Sequence, residues 1–167
     1  MRAVVRHATS EPRSGAASGG DRARRRRPGR TTQHPIEVAE LLLAAGQPAK
    51  VIVTGLLHDV LEDTEVTADQ LREFGPEISR WVQALTQDAS ITNYRSRKAA
   101  LRRQILDSSP EATVVSLADK IAKLRKRSKR PPERKLEHYR ATLNEIEERY
   151  GRSPLSSELL RELARWP

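Results

Sequence analysis

From His34 onward the chain is punctuated as a run of helices, and that punctuation is what most restricts its fold. HPIEVAELLLAAG puts Pro35 near a first helical position and Gly46 just past the end, with Ile36, Val38, Ala39, Leu42 and Leu43 turned inward. The next helix is expected over about 48–63. TADQLREFG opens on a Thr67-x-x-Gln70 capping box and closes on Gly75, and PEISRWVQALT then starts on Pro76. A strongly basic helix over about 93–107 follows, then PEATVVSLADKIAKLRKR, in which Val114, Val115, Leu117 and Ala118 are central. RPPERK breaks the pattern before a long helix over about 132–150 that ends at Gly151, and SPLSSELLRELARW closes as a short amphipathic helix. Only TVVSL has the alternation of a strand, and it is short. The expected fold is all-α, a single bundle of about seven or eight helices. With aromatics at 4%, its core must be mainly Leu, Val, Ile and Ala.

Charge divides the chain unequally. Residues 1–30 hold nine Arg against Glu11 and Asp21, so +7 of the net +9 lies there and the rest of the chain carries +2. With Gly, Ser and Ala filling the gaps, 1–30 reads as a basic, flexible extension. The remainder divides into a main domain over 31–128 and packing helices over 129–167. No apolar run approaches the ~20 residues of a membrane span, and the first residues lack the apolar segment of a secretory signal. The absence of cysteine excludes disulfides and thiolate metal sites and suits a reducing cytoplasm.

Within VTGLLHDVLEDTEVT, residues 53–67, the apolar positions Val53, Leu56, Leu57, Val60 and Leu61 have the spacing of a buried helix. His58, Asp59, Glu62 and Asp63 interrupt them. Residues four apart share a helix face, which sets His58 over Glu62 and Asp59 over Asp63. Carboxylates so crowded repel and take up protons unless a cation lies among them. A divalent metal resolves the conflict, and His34 and Asp119 are the further ligands on offer, the latter in the apolar context VVSLADKIAKL. Two His and two carboxylates suit Mn, Fe or Zn and poorly suit Ca.

The order His34, His58-Asp59, Asp119 resembles the H…HD…D signature of HD-domain metal-dependent phosphohydrolases. HPIEVAELL, GLLHDVLEDT, FGPEISRWVQALT, RSRKAALRRQI and SLADKIAKLR look like the hydrolase domain of RelA/SpoT-type proteins and the small alarmone hydrolases, over about residues 30–127. The resemblance implies hydrolysis of the 3′-pyrophosphate of (p)ppGpp with one divalent transition metal, Mn²⁺ favoured. His34, His58, Asp59 and Asp119 match the metal ligands, and Glu62 and Asp63 match the acidic pair at the reaction centre. Metal coordination lowers the pKa of a bound water, and a nearby carboxylate can orient that water or pass its proton to the leaving oxygen. Arg97 and Lys98 match a basic stretch that would meet the anionic nucleotide. Arg25 and Arg26 lie near the family's Arg-Lys pair before the HP dipeptide.

Two features depart from the family pattern. Lys123 stands where an Asn usually follows the last Asp by four residues, and RRRRPGRTTQHP has no Tyr ahead of His34. Lysine cannot accept a hydrogen bond from a sugar or base but pairs with phosphate, so Lys123 keeps open another nucleotide substrate, such as NADPH or a nucleoside polyphosphate. A non-catalytic nucleic-acid-binding protein using the Arg-rich tail and RKRSKRPPERK is the alternative from a different class, but it leaves the His/Asp/Glu set without a role.

Overall fold

The computed structural model describes residues 33–167. Arg25, Arg26 and the expected basic extension lie outside the described residues. Among the described residues there are nine α-helices, one 3-10 turn and no strand, in agreement with the all-α expectation. They are α1 Gln33–Ala44, α2 Ala49–Leu57, α3 Val60–Asp63, α4 Ala68–Leu71, α5 Pro76–Leu85, α6 Tyr94–Ser108, α7 Pro110–Arg125, α8 Glu133–Tyr150 and α9 Pro154–Ala164, with the 3-10 turn Arg72–Phe74 after α4.

The boundaries follow local chemistry. Pro76, Pro110 and Pro154 occupy first turns, where a missing N–H costs nothing. Asn93, Ser109 and Ser153 accept hydrogen bonds from the first-turn amides of α6, α7 and α9. Thr67 and Gln70 form the expected capping box. TVVSL is helical inside α7, where its alternation is that of a helix buried on several sides.

That central helix organises the molecule. α7 packs against α1, α2, α5, α6, α8 and α9. Val115, Leu117, Ala118, Ile121, Ala122 and Leu124 are all essentially inaccessible, each large aliphatic among them contributing roughly 1.5–3 kcal/mol by its burial. A helix enclosed in this way carries Asp119 into the interior with it. Two expectations need correction. Ile36 and Leu43 of α1 are 47% and 66% exposed, because the buried stripe of that helix is the narrower one of Val38, Ala39 and Leu42. The single helix expected over about 48–63 is broken at His58 and Asp59 into α2 and α3. Leu71, Ile78 and Val82 form a second small core, against which Val53, Leu57, Val60 and Leu61 are half-buried.

Candidate metal centre

Three elements converge where α2 breaks. His34 is the second residue of α1, and Asp119 lies midway along α7. His58 is the C-cap of α2, and Asp59 follows at φ −98°, ψ −1°, in the bridge region between helix and strand. The break turns this pair toward α1 and α7. His58 Nδ1 donates to the Gly55 carbonyl at 2.7 Å. A carbonyl can only accept, so Nδ1 carries a proton and Nε2 faces the cluster. Backbone support of this kind is what a metal-ligating imidazole needs to hold its tautomer and ring plane.

Gly55 has a second part in the geometry. A Cβ there would lie 2.5 Å from Leu42 Cδ1 and 3.3 Å from Val38 Cγ1, so α1 and α2 cross closely only because the position is glycine. The close crossing brings the two imidazoles edge to face, with centroids 5.3 Å apart.

Asp119 Oδ1 is the meeting point. It lies 2.6 Å from Lys123 Nζ, 3.0 Å from His34 Nε2 and 3.3 Å from His58 Nε2. His58 Nε2 is also 3.3 Å from Asp59 Oδ2. It is buried and satisfied by no hydrogen bond, since neither carboxylate is in line with it. One donor atom from each of His34, His58 and Asp59 falls within 4.8 Å of the others. Burial alone lowers the His58 pKa, but Asp119 and then Asp59 overcome it and raise it to about 10. Burial pushes both carboxyls up. Lys123 and the two imidazoles hold Asp119 well below the usual carboxylate range, while His58 and Lys123 bring Asp59 to about 2. An orphaned buried nitrogen facing ionised carboxylates is what a cation site looks like, and the mixed N/O donor set fits a divalent transition metal.

Around this cluster stand the other residues singled out in the sequence. Glu62, on α3, accepts from the Gln87 backbone N–H through Oε1 and from Gln87 Nε2 through Oε2, both at 2.9 Å. Asp63 is exposed at the last position of α3. Arg97 Nε and Lys98 Nζ donate to Gln87 Oε1 at 3.2 and 3.0 Å. Lys98 is half-buried, and burial followed by the charge of Lys123 lowers its pKa, with Glu62 and Asp119 pulling the other way. Gln87 escaped the sequence reading because nothing in ALTQDAS separates a neutral amide after a helix end from an ordinary loop residue. Within the basic stretch RKRSKRPPERK, Arg125 pairs with Glu158 and Glu162, Lys126 with Glu37, and Arg130 with Glu133.

Comparison with known proteins agrees with this geometry. The family model described as HD domain matches residues 16–145. The chain is 37% identical over 108 residues to the Homo sapiens protein named guanosine-3′,5′-bis(diphosphate) 3′-pyrophosphohydrolase MESH1, covering 63% of this chain and 60% of that one. It thus spans about 60% of the length of that curated relative. The crystal structure of lmo0812 from Listeria monocytogenes EGD-e is similar with a TM-score of 0.67 and 27% identity, over 79% of this chain and 92% of that one. A structure described as a metazoan ortholog of SpoT that hydrolyzes ppGpp is similar with a TM-score of 0.66 and 25% identity, over 80% of each chain.

Proposed function

We propose that this chain, which belongs to the HD domain family, is a metal-dependent phosphohydrolase that removes the 3′-pyrophosphate of (p)ppGpp in the cytoplasm. The convergence of His34, His58 and Lys123 on Asp119 Oδ1, with Asp59 beside His58, carries the reading. His34, His58, Asp59 and Asp119 would hold the ion, with Mn²⁺ favoured by the donor types. When bound, such an ion acidifies a water and withdraws charge from the phosphoryl oxygen under attack.

The chain's own groups supply the rest. Glu62, fixed by two hydrogen bonds from Gln87, is the group to orient the attacking water and accept its proton. Asp63 is the second acid of the pair and would relay that proton to the leaving oxygen. Arg97, Lys98 and Lys123 gather positive charge where the polyphosphate would lie, so the anionic substrate is drawn in and its developing charge stabilised. The names borne by the human relative and the metazoan SpoT ortholog supply the substrate guess.

A second reading keeps the chemistry and changes the nucleotide. It rests on Lys123, whose ammonium lies 2.6 Å from Asp119 Oδ1, in the position where the resembling hydrolases have Asn. A cation there favours a substrate with an additional phosphate near the ion. The test is a panel of nucleotides with Mn²⁺, including ppGpp and NADPH, followed by released pyrophosphate and phosphate. Pyrophosphate from ppGpp supports the first reading, phosphate from NADPH with ppGpp untouched supports the second, and no product from any nucleotide overturns both.

A further inference from the structure

Glu62 is gripped as well as placed. Gln87 follows the C-cap of α5 and engages both oxygens of the Glu62 carboxylate, one through its backbone N–H and one through its side-chain Nε2. The other end of the same amide, Oε1, accepts from Arg97 Nε and Lys98 Nζ. The chemistry fixes which way round the amide sits. A carboxylate only accepts, while guanidinium and ammonium groups only donate, so a flipped amide would lose all three side-chain contacts.

The position of Gln87 is itself held from both sides. Gln104 Nε2 donates to the carbonyls of Gln83, Ala84 and Thr86 at 3.0, 2.9 and 2.9 Å, closing the end of α5. Arg97 donates to the carbonyls of Ile91 and Thr92 at 2.6 and 3.1 Å, closing the loop that leads into α6, whose first turn Asn93 caps. An amide fixed at both ends separates two groups that would otherwise attract each other. Lys98 feels the charge of Glu62, and in direct contact the pair would neutralise the acid and withdraw the cation from substrate.

We propose that Gln87 is a positioning residue for hydrolysis: it holds the Glu62 carboxylate at one angle and spaces it from Arg97 and Lys98. The acid/base group and the phosphate-binding cations are thereby set by one side chain. This inference rests on the phosphohydrolase reading. A carboxylate left with the backbone N–H of residue 87 alone can swing about that one bond, and misplacement of a reacting group by about 1 Å costs on the order of 100-fold in rate.

The test uses the full Mn²⁺-loaded chain and whichever of ppGpp and NADPH the unmodified protein turns over. Gln87→Ala should lower kcat by about 10- to 100-fold while manganese content and the melting temperature stay unchanged. In a Glu62→Ala background the same substitution should cost less than about twofold, because its effect passes through Glu62. Gln87→Glu separates the two ends of the amide. It keeps acceptors for Arg97 and Lys98 but presents a carboxylate to Glu62, so kcat falls as in Gln87→Ala while KM stays within about twofold of the unmodified protein. Equal losses in the wild-type and Glu62→Ala backgrounds, or loss of manganese with Gln87→Ala, overturn the inference and leave the hydrolase reading standing. No turnover of any nucleotide by the unmodified chain overturns both.

Discussion

Asp59 and Glu62 are three residues apart, yet the structure gives them different neighbours. Asp59 Oδ2 lies against His58 Nε2 inside the cluster, while Glu62 is turned outward onto Gln87. The two should therefore fail differently. Asp59→Ala removes a proposed ligand and should abolish both manganese retention and turnover. Glu62→Ala should retain close to one equivalent of metal and lose about 100-fold or more in kcat. Elemental analysis paired with kinetics checks this, and metal loss in Glu62→Ala would make Glu62 a ligand instead. The cluster of ionisable groups was legible in the sequence because such groups in an apolar helix demand a partner. Gln87 was not, because a neutral amide imposes no such demand and its importance exists only once α3, α5 and α6 are folded together.

At the scale of elements, the crossing of α1 and α2 at Gly55 sets the distance between His34 and His58. Gly55→Val would drive a branched side chain into Leu42 and Val38, both fully buried. The expected cost is about 1–3 kcal/mol, read as a lower midpoint in urea, together with weakened manganese binding as the imidazoles separate. The α6–α8 contact makes a different prediction. His138, on α8, is buried and accepts from Arg102 Nη1 at 3.3 Å, so its Nδ1 is unprotonated. Burial first, then the charges of Lys120, Lys98 and Arg102, lower its pKa from 6.5 to about 2. The folded state thus prefers neutral His138, and the unfolded chain binds the extra proton below pH 6.5. Stability from this group is complete above that pH and is lost as pH falls toward 2, at up to about 1.4 kcal/mol per pH unit. Urea unfolding between pH 7 and 5 should show a shallower acid-side loss for His138→Gln than for the unmodified chain, and parallel curves would refute the assignment. Helix existence was legible from Pro, Gly and capping residues. The break at His58 was not, since the apolar spacing runs on through it and the turn is set by the contacts of His58 and Asp59 with α1 and α7.

For the molecule as a whole, the consequence of the site is that one ion would tie three separated segments together. His34 begins α1, His58 and Asp59 end α2, and Asp119 lies in the helix at the centre of the fold. No two of these segments offer the full donor set, so the unfolded chain has no comparable site and the ion binds the folded state selectively. Selective binding stabilises by about 2.7 kcal/mol when the free ion exceeds its dissociation constant by about 100-fold. For a chain of this size that corresponds to a rise in melting temperature of roughly 5–10 °C. The rise should saturate with Mn²⁺, reverse with a chelator, and be much smaller with Ca²⁺, which prefers an all-oxygen shell. It should also vanish in Asp59→Ala, which takes away one of the four proposed donors. Calorimetry of both chains with and without Mn²⁺ reads that difference. A chain stabilised equally by Mn²⁺ with and without Asp59 would be binding the ion at its acidic surface, and the centre described by His34, His58, Asp59 and Asp119 would then hold no metal.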